Sequence, residues 1–183
     1  MIARGLILYG PPAAGKDTVT RALQDISPEY RLFSRLKVGS GKSVGYRMGT
    51  AEQLAELRTD GDVVYENSRY GNVYAIDRPG LGEAFEDGIP VVHLGQIDGI
   101  DALVKGYPAA WSTVLLWCTR EETAVRSAGR GDADTGARLA AWDATRADVD
   151  AHPGQRWDLT VDTGSTGPAE AARLIDELVS TRG

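Results

Sequence analysis

The stretch GPPAAGKDT, Gly10 to Thr18, decides how the rest of the chain is read. Gly10 and Gly15 bracket four residues and Lys16 follows at once, the order of a loop that wraps phosphate. An apolar run, LILY at 6–9, leads into it, and KDTVTRALQDI, a helix-like segment, leads out. In that setting the loop of Gly10, Pro11, Pro12, Ala13, Ala14 and Gly15 turns main-chain N–H groups inward. The following helix N-terminus adds partial positive charge, so a polyphosphate is stabilised there. Lys16 is placed to neutralise the β and γ oxygens. One letter departs from the standard loop, in which a Ser or Thr directly after the lysine holds magnesium. Here Asp17 takes that place and the hydroxyl, Thr18, arrives one residue late. A carboxylate in the first turn of a helix is favoured by the helix dipole alone.

Short apolar runs recur downstream: PVVHLG at 90–95, STVLLWC at 112–118 and WDLTV at 157–161. Runs of that length rich in Val, Leu and Ile fit buried parallel strands. Helix candidates lie between and after them, over 15–25, 78–87, 98–105, 120–128, 134–150 and 168–181. Alternating β and α units imply an α/β fold, a parallel sheet flanked by helices on both faces. Residues 31–77 break the rhythm. LKVGSGKSVGYRMGT is Gly-rich and basic, Thr50 and Gln53 form a capping-box pattern, and Gly61 fits a helix stop. DVVYENSRYGNVYAID then reads as short strands about a turn at Gly71-Asn72. The expected organisation is one domain: a core of 1–30 and 78–183, a small inserted lobe over 31–77, and an Arg-rich lid at about 126–146.

With 183 residues the chain is long enough for one well-buried core. The formal charge of −6 argues against general affinity for nucleic acid backbones. Cys118 is alone, so no internal disulfide forms. No apolar run approaches membrane-spanning length, and the start of the chain is too short for a secretory signal. A cytoplasmic domain without nucleic acid or membrane partners is expected, with its oligomeric state open. The two histidines, His93 and His152, give no metal-ligand spacing. His93 reads as a hydrogen-bonded core or cleft-edge side chain, and the tryptophans as packing residues.

Three further segments resemble the guanylate kinase family over most of the chain. FSRLKVGSGKSVGY (33–46) is similar to that family's grip on the acceptor phosphate, with Ser34, Arg35 and Tyr46 matching and Lys37 or Lys42 in place of a second arginine. YENSRYGNVYAI (65–76) resembles the family's Gly-Asn-Tyr-Tyr stretch, with Tyr74 as the phosphate-binding tyrosine. TREETAVRSAGRGDADTGARL (119–139) is similar to the lid, with Arg126, Arg130 and Arg138 in the places of its arginines. The Gly-Lys-X-Thr order likewise resembles nucleoside monophosphate kinases, which makes Thr18 the magnesium-side hydroxyl. The resemblance implies a P-loop kinase using ATP and Mg²⁺ on a small phosphate-bearing acceptor such as a nucleoside monophosphate. The match departs at the base-reading acid, which falls on Tyr65 with Glu66 one residue off. It departs again after the central strand, where Asp-Ile-Asp becomes Leu94-Gly95-Gln96. Glu66 and Gln96 are the candidates for reading the acceptor in their stead.

The ribose 1,5-bisphosphate phosphokinase family shares the Gly-Lys-Asp-Ser/Thr variant and is a second resemblance, implying a sugar-phosphate acceptor. A non-catalytic guanylate-kinase-like module that binds a phosphorylated partner is the alternative of another class. Transfer to a phosphate needs no general base, because the acceptor is already ionised. A hydroxyl acceptor needs one, and Asp17 and Asp98 are its candidates.

Overall fold

A computed structural model describes residues 3–41, 43–69, 71–129 and 135–182. In chain order the elements are β1 (Arg4–Tyr9), α1 (Lys16–Ile26), β2 (Tyr30–Leu32), β3 (Leu36–Val38), β4 (Arg47–Gly49), α2 (Ala51–Asp60), β5 (Val63–Arg69) and β6 (Asn72–Asp77). There follow α3 (Arg78–Glu86), β7 (Ile89–Leu94), α4 (Ile97–Gly106), β8 (Ala110–Trp117), α5 (Arg120–Gly129), α6 (Thr135–Ala151), β9 (Leu159–Asp162) and α7 (Pro168–Ser180).

The main sheet is parallel, in the order β2-β7-β1-β8-β9. Its central strand explains the apolar run ahead of the glycine loop. Leu6, Ile7, Leu8 and Tyr9 are fully buried, because β1 has a strand on each side and helices over both faces. Alternation then divides them. Leu6 and Leu8 pack with Val19 and Leu23 of α1 and Ile175 of α7. Ile7 and Tyr9 pack with Leu81 of α3 and Ile100 and Leu103 of α4. Burying each such aliphatic side chain contributes roughly 1.5–3 kcal/mol, which makes this strand the anchor of the fold. Among the described residues no helix is long and apolar enough to cross a membrane.

A second, four-stranded sheet, β4-β3-β6-β5, is built from residues 36–77. It covers its own small core of Leu36, Leu54 and Ala75 with α2. Thr50 and Gln53 form the capping box, and Gly61 ends α2 in the left-handed conformation, as the spacing implies. The chain leaves the main sheet after Leu32 and returns through Asp77. That junction is bolted: Asp77 is buried, its Oδ2 paired with the Arg47 guanidinium, while its Oδ1 accepts the Gly80 N–H at 2.8 Å and caps α3. The three-residue edge strand β2 is the one main-sheet element absent from the sequence reading. Arg31 and Leu32 are exposed, so the segment YRL carries no buried pattern.

Candidate active site

β1 delivers Gly10 to the edge of the sheet, where a Cβ would run into the backbone oxygen of Leu116 on β8. Only glycine lets the chain turn there. At the far end Gly15 caps α1 at φ 89°, a left-handed conformation, with open space where a side chain would stand. Between them the Ala14 N–H donates to Pro11 O at 3.3 Å. Lys16 Nζ folds back over the loop and donates to the carbonyls of Gly10 at 2.6 Å and Pro11 at 3.0 Å. Burial pulls the Lys16 ammonium from its usual value down to about 8, with Asp17 opposing that shift. A buried cation resting on neutral carbonyls is stabilised by any anion brought beside it.

Lys16 opens on a cleft of about 1000 Å³ between the main sheet, the second sheet and α6. The second sheet contributes a basic, aromatic wall. Arg35 lines the cleft, donates through Nη1 to Asn67 Oδ1 at 3.2 Å, and lies 5.4 Å from the Tyr74 ring centroid. Burial lowers its pKa, and the groups opposing that shift are the tyrosines 46, 65 and 74 rather than a carboxylate. Lys37 is buried beside it, its ammonium 5.5 Å and 5.8 Å from the ring centroids of Tyr46 and Tyr74. Those two rings stand 5.2 Å apart. The structure therefore brings Arg35, Lys37, Tyr46 and Tyr74 together, from β3 and the residue before it, β6, and the turn before β4. Ser34 is adjacent in sequence and half-buried, and its carbonyl accepts from Arg47 Nε at 3.0 Å.

Gln96 also lines the cleft, at the N-terminus of α4, and its Oε1 accepts from the Tyr65 hydroxyl at 3.4 Å. Glu66 does not join it, which corrects the reading from sequence. Alternation along β5 sends Glu66 to the opposite side from Tyr65 and Asn67. There it holds Arg58 of α2 through two bonds, 2.7 Å and 3.0 Å. Asp98 is a second correction: it is 86% exposed, 3.7 Å from His152 Nε2, and absent from the described cleft lining.

Asp17 does face the cleft, and His93 stands behind it. His93 Nδ1 is 3.6 Å from Asp17 Oδ1, and Nε2 is 2.8 Å from Thr20 Oγ1, one turn along α1. Burial, with Lys16 and Arg35 adding to it, pushes the imidazole down to about 4. His93 is thus the cleft-edge side chain expected, neutral at physiological pH.

A smaller hollow of about 380 Å³ lies on the other side of the loop, lined by Ala13, Gly15, Thr18, Arg126 and the turn 163–167 after β9. Arg126 belongs to this side. Its Nη1 donates to Ala13 O at 2.9 Å and its Nη2 to Thr163 O at 2.7 Å. Arg126, matched above to a lid arginine, here braces the glycine loop against the turn after β9. Arg138 sits half-buried on α6. Arg130 lies outside the described residues.

The sequence reading missed Asp148. It lines the cleft from α6, and its Oδ2 accepts from the Tyr9 hydroxyl at 2.7 Å and the Ile97 N–H at 2.9 Å. Asn67, Ser68 and Arg69 line the cleft too. Period-2 alternation on β5 is the signal that finds Asn67, whereas nothing local marks Asp148. For a metal, the described residues hold no group of three or more His, Cys, Asp or Glu side chains. The oxygen donors beside Lys16 are the Asp17 carboxylate and the Thr18 hydroxyl. Thr18 lines the smaller hollow and Asp17 the main cleft, so a single protein oxygen with substrate phosphates and water is the arrangement that fits Mg²⁺ here.

Comparison with known proteins agrees with this geometry. The guanylate kinase of Synechococcus sp. (strain CC9311) is 28% identical over 135 residues, 71% of each chain. That of Frankia casuarinae is 28% identical over 137 residues, 72% of this chain and 74% of the relative. The crystal structure of guanylate kinase from Anaplasma phagocytophilum matches 98% of this chain and 86% of its own with a TM-score of 0.65 at 16% identity, a likeness of fold. The resemblance carried by the three segments is therefore met, and the fold is that of a P-loop NTPase. The sequence model of chloramphenicol phosphotransferase-like proteins matches residues 3–180. This chain is a phosphotransferase with a guanylate kinase-like fold, and it belongs to the chloramphenicol phosphotransferase-like family.

Proposed function

We propose that the protein transfers the γ-phosphoryl group of ATP to a small acceptor that already carries a phosphate, a nucleoside monophosphate or a relative of one. The observation that carries this reading is Arg35: a half-buried guanidinium lining the cleft, with amide and tyrosine neighbours and, among the described residues, no carboxylate among the groups acting on it. Burying a cation without a counter-charge is costly, and a phosphate dianion held by Arg35 with Tyr46 and Tyr74 offsets that cost. ATP would then lie with its base toward the smaller hollow and its phosphates on the loop, Lys16 drawing the terminal groups toward the cleft. Magnesium, bound through Thr18 with the phosphates and water, would supply charge neutralisation. The transferring group would sit between Lys16 and the acceptor phosphate, and positioning with charge stabilisation would supply most of the acceleration.

The test is ADP release with Mg²⁺ and ATP across nucleoside monophosphates, sugar phosphates and phosphate-free alcohols. One phosphate-bearing acceptor should stimulate release strongly, and Arg35→Met should raise its KM at least tenfold while leaving ATP binding intact. Stimulation by sugar phosphates alone would favour the ribose bisphosphate relative.

A second reading has one observation in its favour. Asp17 faces the cleft beside His93, placed to take a proton from a hydroxyl acceptor, and the family's name points to an acceptor without phosphate. In that case phosphate-free alcohols stimulate release, Asp17→Asn lowers turnover about a hundredfold, and Arg35→Met has little effect.

A further inference from the structure

The acceptor cleft has lost its expected carboxylate, since Glu66 turns to Arg58 and the end of β7 reads Leu94-Gly95-Gln96. Among the described residues two carboxylates line it: Asp17 beside Lys16, and Asp148 on α6, whose bond to the Ile97 N–H sets it next to Gln96. We infer that Asp148 is the specificity-determining carboxylate of the acceptor site, reading an N–H donor on the ring of a nucleoside monophosphate. The inference rests on the acceptor reading proposed above.

Three observations support it. Asp148 is locked: its Oδ2 is occupied by the Tyr9 hydroxyl and the Ile97 N–H, both from elements of the buried core. Its Oδ1 has a looser neighbour, His152 Nδ1 at 3.4 Å, whose shorter contact of 2.7 Å runs instead to the Asp148 carbonyl. One oxygen thus holds the side chain in place while the other keeps capacity to accept a hydrogen bond. The side chain is 21% exposed, so a bond made there is largely shielded from water. Next, Gln96 complements it. Because Gln96 Oε1 accepts from the Tyr65 hydroxyl, its amide N–H groups are left to donate. A ring edge that offers a donor beside an acceptor satisfies Asp148 and Gln96 together, and the bases of nucleotides offer such edges. Finally, α6 lines the cleft ahead of Asp148 with small side chains, Ala141, Ala144, Thr145 and Ala147, a wall against which a flat ring can lie.

Asp148→Asn tests this cleanly. The asparagine oxygen can keep both bonds of Oδ2, while the NH₂ group takes the place of Oδ1 and turns an acceptor into a donor. With the donor site saturated by a non-hydrolysable ATP analogue, calorimetry would compare pairs of monophosphates that differ by an amino group. These are AMP with purine riboside monophosphate, and GMP with IMP. The parent should favour the aminated member of at least one pair tenfold or more, the range of a hydrogen bond to a charged group. Asp148→Asn should bring that ratio within threefold of unity, with a melting temperature close to the parent's. Tyr9→Phe, which removes one structural bond but not the carboxylate, should lower the melting temperature and keep the ratio. A parent that discriminates no pair, or a ratio that survives in Asp148→Asn, overturns the inference. Because binding is measured without turnover, discriminated binding with no ADP release would sink phosphoryl transfer and leave the role of Asp148 supported.

Discussion

Two titratable side chains beside the glycine loop make the residue-scale chemistry measurable. In the empty protein Lys16 is held at about 8 by burial. A bound polyphosphate favours its charged form and raises that value. Above pH 8 binding must therefore take up a proton, so ATP affinity should fall as pH rises, by up to about tenfold per unit. Calorimetry between pH 7 and 9.5 checks this, and an arginine at position 16, charged throughout, should flatten the profile. His93 acts in the opposite pH range. Its folded value of about 4 lies below the ordinary 6.5, so between the two the unfolded chain binds the extra proton. The stability it supports is complete above pH 6.5 and is lost as pH falls toward 4, on the order of 1–3 kcal/mol. His93→Gln should show a shallower fall of melting temperature from pH 7 to 4.5, and parallel curves would contradict this account.

At the scale of elements, the second sheet is fastened to the main one through the buried Asp77, which pairs with Arg47 and caps α3. Removing Asp77 leaves the part-exposed Arg47 to water but forfeits its charge-assisted bond and the cap of α3, at a cost of about 2–4 kcal/mol. Asp77→Ala should lower the melting temperature by roughly 10 °C in a chain of this length. Thr50→Ala, which removes only the cap of α2, should cost about 1 kcal/mol. The elements themselves divide by how local their cause is. The four apolar runs are β1, β7, β8 and β9, and the capping box and Gly61 bound α2 as their chemistry dictates. β2 escaped because an edge strand of three residues has no buried periodicity. Glu66 was misplaced because one position along a strand reverses its face, as the match to Tyr65 hinted but did not resolve. Arg126 was legible as a phosphate-side arginine but not as a brace, since that depends on the β9 turn 37 residues away. Asp148 was invisible for the same reason: its partners Tyr9 and Ile97 are 139 and 51 residues distant.

On the scale of the whole molecule, the two hollows flank one loop, with Gly15 and Thr18 lining the smaller and Gly10 and Lys16 the larger. On the reading proposed above, a single ligand joining adenosine to the acceptor through a chain of phosphates would span both and pay the entropy of association once. It should bind at least tenfold more tightly than ATP and raise the melting temperature further at equal concentration. Equal affinity would mean that the hollows are not occupied together.

The path of the backbone between the sheets carries a last consequence. The polypeptide departs the main sheet after Leu32 and comes back at Asp77, so everything the second sheet lends to the cleft is supplied by one uninterrupted segment. Such a segment behaves like an exchangeable fitting. Grafted from a relative with its Arg47–Asp77 bolt intact, it would retune which molecules are phosphorylated while the machinery that handles the nucleotide donor went on unaltered.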